Sequence, residues 1–419
     1  MEPGDDLFRR ESGRIVATLT RIFGTENLAL AEDVAQDVFC RALEVWKLRG
    51  VPANPSAWLM TVAKRRAIDL LRRERRVRKF APDLDSLLVS EWTLTPTVNE
   101  AFSEEAIADD ELRMMFSCCD PKLSEESQIA LILRLLCGFS TREVAHAFLS
   151  TPVAMEKRIE RARKVLAESA ALFDLADRDL CERLPVVHRA LYLLFSEGYH
   201  ASSEALVRRE LCREAMRLAS SLSDNAAVAS SVSSALCALM WFDAARLPSR
   251  TDAKGDLVAL ADQDRLRWDR ALIAKGRHFL ERSATGGLSE YHVEAAIAAV
   301  HCNAAAFAET DWPKIVRLYD ALLQLRPSPV VALNRAIALG YAFGPERGLR
   351  EIHAIPHSDR LAHYPFYPAA LADFESRTGE GESARRHLRE AMELARNSKE
   401  RRFLESRLSA LSIDQAYVE

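Results

Sequence analysis

Residues 29–76 read ALAEDVAQDVFCRALEVWKLRGVPANPSAWLMTVAKRRAIDLLRRERR. Val34, Val38, Ala42, Val45 and Trp46 recur at helical intervals, while Asp33, Gln36 and Asp37 fall largely off that stripe. Pro52 and Pro55 interrupt the pattern, and Ser56 is the expected cap of the next helix. There Leu59, Ala63, Ala67 and Leu70 follow the i, i+4, i+8, i+11 rule and should face inward. Thr61, Lys64, Arg65, Ile68 and Arg72 lie opposite, a basic face that can run along a phosphate backbone.

A second unit of the same kind follows. Ser124 precedes Glu125 and Glu126, an N-cap with acids in the first turn, and the helix QIALILRLLCG ends at Gly138. Ser140 and Glu143 form a capping box that opens a short helix running through Leu149. Thr151 caps once more, with Pro152 at the first helical position. In the last helix Met155, Ile159, Ala162 and Leu166 predict a buried face, with Lys157, Arg161 and Lys164 opposite and Arg158 and Arg163 on the flanks. A short helix, a tight turn and a helix with a basic outer face make a helix-turn-helix. No strand alternation is found, and helix follows helix to the end, so the chain is expected to be all-α.

At 419 residues several domains are expected. Net charge is only −4, but it is unevenly spread. Between Lys64 and Lys79 nine basic residues stand against two acidic ones, whereas acids dominate between Asn99 and Glu111. Such neighbours imply two surfaces with different partners. No apolar run reaches the length of a membrane helix, and the amino terminus is too acidic for a secretory signal, so no membrane association and a cytoplasmic location are expected. The eight cysteines show no zinc spacing; they read as helix-core residues, with a redox switch at Cys118 and Cys119 as the alternative. No phosphate loop, HExxH or nucleophile elbow is present, so neither an enzyme, a metal site nor a cofactor is expected. His188, His200, His278, His301 and His363 are dispersed and read as ordinary helix residues. Asp262, Asp264 and Asp269 alternate with Arg265, Arg267 and Arg270, which suggests local ion pairs.

AEDVAQDVFCRALEVW, PSAWLMTVAKRRAIDLLRRERR and LSEESQIALILRLLCGFSTREVAHAFLSTPVAMEKRIERARKVL resemble, in this order and separation, the segments of extracytoplasmic-function (ECF) sigma factors. Farther on, LYLLFSEGYHASS, LADQDRLRWDRALIAKG and LYDALLQLRPSPVVALNRAIAL resemble a subgroup of that family carrying a large helical extension similar to tetratricopeptide repeats. Ala372, Ala384, Leu388 and Ala391 sit at offsets typical of such a repeat. The resemblance implies four parts: sigma region two (1–80), an acidic linker (81–112), sigma region four (113–172) and a helical extension (173–419).

It also implies partners, namely core RNA polymerase and promoter DNA. Asp33, Gln36, Asp37 and Phe39 would engage the polymerase. Lys64, Arg65, Arg72 and Arg73 would contact the −10 strand, and the loop holding Asn54 would capture an unstacked base. Thr151, Ala154, Lys157, Arg158, Arg161 and Arg163 would read the −35 element. Glu156 and Lys157 stand where many relatives carry Lys then Ser, which implies an altered −35 preference. Glu100, Glu104, Glu105, Asp109 and Asp110 would either imitate RNA in a basic cleft or form a solvated tether. The extension would regulate the sigma portion in cis, or bind a regulatory protein or a small molecule. A stand-alone repressor or activator would explain the helix-turn-helix and the extension, though not the amino-terminal pair of helices. A pure scaffold would leave both basic faces unexplained.

Overall fold

The computed structural model describes residues 3–74, 97–148, 150–168, 177–200 and 207–416. The chain is all-α: among the described residues the only β pairing is an isolated bridge between Thr251 and Leu257. No helix among them is long and apolar enough to cross a membrane. Packing divides the chain into two units, residues 1–194 with 217–228, and residues 195–216 with 229–419.

The first unit begins with α1 (Pro3–Phe23), α2 (Leu28–Arg49) and α3 (Pro55–Glu74). The α2 stripe is buried as expected at Val34, Val38, Ala42 and Trp46, with Val45 at its edge. In α3 the inward face is Leu59, Ala63, Ala67 and Leu71; Leu70, the expected fourth member, is only half-buried. From Ala67, Leu71 is one full i+4 step, so it continues the stripe more directly. The expected cap is also displaced. Asn54 accepts from the Ala57 amide at 3.0 Å, and Pro55 takes the first helical position. The Ser56 hydroxyl instead donates to Glu11 of α1 at 2.9 Å, tying α3 to α1.

Helix α4 (Glu104–Ser117) packs on α1, so over residues 108–117 the acidic segment is no solvated tether; the side chains of Glu104 and Glu105 lie outside the described residues. Asp110 is buried and accepts from Arg21 at 2.6 Å, and buried Glu111 accepts both oxygens' bonds from Arg217 at 2.8 Å. α5 (Glu125–Leu135), α6 (Thr141–Ala147) and α7 (Pro152–Ala167) complete the helix-turn-helix. Its punctuation is as read: the Ser140–Glu143 capping box is closed, and Thr151 accepts from the Ala154 amide. Ser124 occupies the N-cap position of α5, but its hydroxyl pairs with Ser127 and not with the helix backbone. Cys118 and Cys119 are buried after α4, where desolvation raises both thiols, Cys119 to about 12. Buried thiols held protonated do not serve as redox switches, which sets that alternative aside.

The boundary between the units falls within α8 (Asp177–Tyr199) and α9 (Arg209–Asp224). The second unit continues through α10 (Ser231–Ala245), α11 (Arg270–Arg282), α12 (Glu290–Asn303), α13 (Trp312–Leu325), α14 (Pro329–Phe343), α15 (Pro345–His353), α16 (Phe366–Arg377), α17 (Gly381–Glu393) and α18 (Ser398–Ala416). Its apolar core is a relay. Ile297, Ile315 and Leu339 join α12, α13 and α14; Leu333, Ile352 and Phe374 join α14, α15 and α16; Ala372, Leu388 and Leu404 join α16, α17 and α18. Each shared helix passes one cluster to the next, the logic of stacked repeats. The sequence-marked Ala372, Ala384, Leu388 and Ala391 all lie in the last cluster. Gly340 lets α14 approach α16, because a Cβ there would enter the Phe374 ring.

Burial outweighs the Arg21 pairing at Asp110 and raises its carboxyl to about 6. A carboxyl raised on folding contributes its full stability below its unfolded value and loses it as pH rises through about 6. Asp110→Asn should therefore gain melting temperature relative to the parent chain progressively from pH 4 to pH 7. A difference that stays flat across that range would show that burial does not dominate at this carboxyl.

Candidate nucleic-acid interface

The two basic faces anticipated from sequence are both formed, each secured by a buried apolar stripe on its own helix. On α3, Arg65 and Arg72 are exposed and Lys64 is half-buried, opposite Leu59, Ala63 and Ala67. The Arg73 side chain lies outside the described residues. On α7, Met155, Ile159, Ala162 and Leu166 are buried, while Thr151, Ala154, Lys157 and Arg161 are exposed. Val153 is also exposed at the start of α7 and offers an apolar contact of the sort that suits a thymine methyl.

Not every candidate side chain points freely outward. Arg158 pairs with Glu126 of α5 at 2.8 Å. Arg163 pairs with Glu32 of α2 at 2.5 Å, so a flank of the helix-turn-helix is joined to the amino-terminal helices. Burial raises the Glu32 carboxyl against the opposing pull of Arg163 and Arg134, and burial likewise lowers Arg134. Arg9 of α1 donates to the Gly138 carbonyl at 2.9 Å and to Glu143 at 3.3 Å. Gly13 of α1 sits so close to the Leu136 carbonyl that a Cβ would overlap it. These contacts hold the two basic helices in one compact unit.

On α2, Asp33, Gln36 and Asp37 are exposed, and Asp37 reaches Arg66 of α3 at 3.4 Å. Phe39 is half-buried with its ring 5.1 Å from Phe8, which stacks on Trp46 at 5.6 Å. Trp46 in turn meets the half-buried Trp58 edge-on at 5.4 Å, so Trp58 belongs to this aromatic cluster. Asn54 serves as a helix cap and remains exposed. Sequence reasoning missed the apolar side chains beside these acids: Leu43, Leu48 and Val51 are all exposed. Their signal was the failure of Leu43 and Leu48 to fit the buried stripe.

Residues 7–77 match the family model described as Sigma-70 region 2. The RNA polymerase sigma factor CarQ of Myxococcus xanthus is 31% identical over 168 residues, 39% of this chain and 87% of that protein. The chain belongs to the ECF-type sigma factors. The ECF RNA polymerase sigma factor SigK of Mycobacterium ulcerans (strain Agy99) is similar too, 26% identical over 163 residues, 36% of this chain and 79% of that protein. As a sigma factor the protein is a non-catalytic factor in transcription initiation. This sigma factor carries a long extension after the shared part: residues 183–284 match a family of unknown function, DUF6596. An uncharacterized protein of Rhizobium meliloti (strain 1021) is 36% identical over 408 residues, 96% of this chain and 94% of that protein, so it matches the extension as well. No solved structure matches the chain.

A double-mutant cycle on Glu32 and Arg163 should return a coupling of about 1 kcal/mol in unfolding free energy, since both side chains are half-buried. Gly13→Ala should cost about 1–3 kcal/mol, because the Leu136 backbone has to move. A zero coupling, or a neutral Gly13→Ala, would show that the two helical groups are not joined at these points.

Proposed function

We propose that the first unit binds core RNA polymerase and recognises −10 and −35 promoter elements, with residues 1–80 and 113–172 as the two reading domains. The observation that carries this is the presence, in one sigma-type chain, of two basic helix faces each anchored by a buried stripe. Arg65, Arg72, Arg73 and Lys64 on or beside α3 contact the −10 strand, and the loop holding Asn54 receives a flipped base. Thr151, Ala154, Lys157, Arg158, Arg161 and Arg163 contact the −35 element, where the exposed Thr151 and Ala154 at the start of α7 suit entry into the major groove. Asp33, Gln36 and Asp37 on α2, backed by Phe39 and flanked by the exposed Leu43 and Leu48, dock on polymerase.

In this reading the packed unit is a resting form. The −10 and −35 elements lie roughly 25 base pairs apart, about 85 Å along the duplex. A compact unit of about 200 residues is only about 45 Å across. Both elements are therefore read together only after Arg163 leaves Glu32 and Arg9 leaves Gly138 and Glu143. Residues 173–419 act in cis on this step. Arg183 of α8 donates to the Phe116 carbonyl at 3.0 Å and Arg217 of α9 clamps Glu111, so the extension supplies bonds to the packed form.

Run-off transcription tests both levels. Product should require the protein together with core polymerase and should fall sharply in a Lys64/Arg65/Arg72 triple alanine variant. Tight promoter binding without polymerase, and no gain from adding it, would favour a stand-alone regulator. Arg9→Ala combined with Glu32→Gln, neither of them a proposed contact, should raise product at limiting sigma concentration. Unchanged product from that variant would remove the resting form while leaving the sigma assignment intact.

A further inference from the structure

The second unit contains a polar interior that the relay of apolar clusters does not require. Between α10 and α11 the chain runs from Arg246 to Asp269 with only short 3-10 turns. An irregular stretch of this length inside a helical domain is commonly a functional loop. It is nevertheless well buried at Ser249, Arg250, Gln263, Arg265 and Trp268. The local ion pairs expected here from sequence do not form. Asp264 and Asp269 accept from the amides of Leu266, Ala271 and Leu272, as helix caps. Arg265, thereby left without a carboxylate, turns inward and donates to the carbonyls of His301 and Ala304 and to the Thr310 hydroxyl, at 2.7–3.0 Å.

Three guanidinium groups meet around this loop. Those of Arg246 and Arg265 lie 5.4 and 4.9 Å from the centroid of the Trp268 ring. Arg250 lies 3.9 Å over Tyr199 and donates to Nδ1 of His200 at 3.2 Å. Within ion-pair distance one carboxylate answers them, Asp243 at 3.6 Å from Arg246, while Glu309 acts on Arg265 from farther away. Among the described residues no carboxylate lies within ion-pair distance of Arg250 or Arg265. Desolvation, together with the arginines, pushes His301 down to about 3 and His200 well below its ordinary value, so neither imidazole adds charge. A buried excess of positive charge is costly without a counter-charge.

Unused donors accumulate in the same place. Nε of Arg246, Arg250 and Arg265, Nε1 of Trp268 and the Tyr199 hydroxyl have no hydrogen-bond partner. Arg250, Arg265 and Tyr199 are only 7%, 5% and 5% exposed, and Trp268 2%. Orphaned buried donors are rare in folded proteins, and several in one neighbourhood call for an acceptor. Arg246 and Asp243 keep some side-chain surface open, 12% and 21%.

We propose that this cluster of Tyr199, Arg246, Arg250, Arg265 and Trp268 is a binding site for a small anionic molecule bearing a phosphate or carboxylate group. Guanidinium forks are suited to such planar or tetrahedral oxyanions. The donors are closed to solvent, so only a small molecule admitted past the partly open Arg246 and Asp243 side chains reaches them. The occupied site would neutralise the interior between α10 and α12 and stabilise the second unit by mass action.

The full-length chain is titrated with inorganic phosphate, pyrophosphate and succinate at constant ionic strength, following tryptophan fluorescence and melting temperature. Trp268 lies in the site and reports on it. At least one of these anions should bind saturably with a Kd of about 1 mM or tighter and raise the melting temperature, while chloride does neither. The phosphate and succinate arms show which group the site prefers. Arg246→Gln should weaken that binding at least ~tenfold and Tyr199→Phe several-fold. If Arg246→Gln does not fold, Tyr199→Phe decides alone, because it deletes one hydroxyl and keeps the ring under Arg250. Responses no different from chloride for all three anions, or saturable binding unaltered in the folded variants, would overturn the proposal.

Discussion

Helix α4 holds the first unit together through charge buried at two adjacent positions. Asp110 faces Arg21 of α1, and Glu111 faces Arg217 of α9. Six residues farther along, the Phe116 carbonyl accepts from Arg183 of α8. Carboxylates at successive positions of a helix point in directions about 100° apart, so α4 binds helices on two sides at once. A buried carboxylate left without its cation is strongly destabilising, which makes these pairings conditions of the packing rather than ornaments on it. The acidic composition that first suggests a solvated connector supplies, at Asp110 and Glu111, internal cross-links of the unit.

The proposed resting form rests on contacts of the same kind. Basic side chains suited to phosphate are equally suited to carboxylates, and Arg158 and Arg163 currently hold the latter. Under the proposed −35 reading, promoter DNA competes with Glu126 and Glu32 for these guanidinium groups, and the exposure of Glu126 makes its pairing the weaker competitor. Residues of the extension take part in the packed unit through Arg183 and Arg217, which bond to α4 directly.

In the second unit two designs coexist. From α12 to α18 each helix pair buries a modest apolar cluster and passes it on, a scheme that needs little beyond correct spacing. Around residues 199, 246–269 and 301 the interior is instead polar, cationic and incompletely hydrogen-bonded. Cation–π contacts with Tyr199 and Trp268 offset part of the cost of those arginines, yet their Nε–H groups stay unmet. Packing alone does not call for this arrangement.

Periodicity in the sequence determined the all-α class, the buried stripes of α2, α3 and α7, and the caps at Ser140 and Thr151, because each depends on neighbours within a turn or two. It also separated the basic faces from the core, since a helix with one apolar stripe has only one other side to offer. Near misses were local: Leu71 replaces Leu70, and Asn54 replaces Ser56, because Glu11 on another helix takes the Ser56 hydroxyl. Other features required the fold. Whether Asp110 faces solvent or Arg21, whether Arg163 is open or held by Glu32, and whether Arg265 pairs with adjacent aspartates or with a carbonyl 36 residues away depend on which helices come together. A charged side chain carries no mark of its partner in the sequence, because long-range pairing is set by tertiary packing and desolvation, which no local pattern encodes.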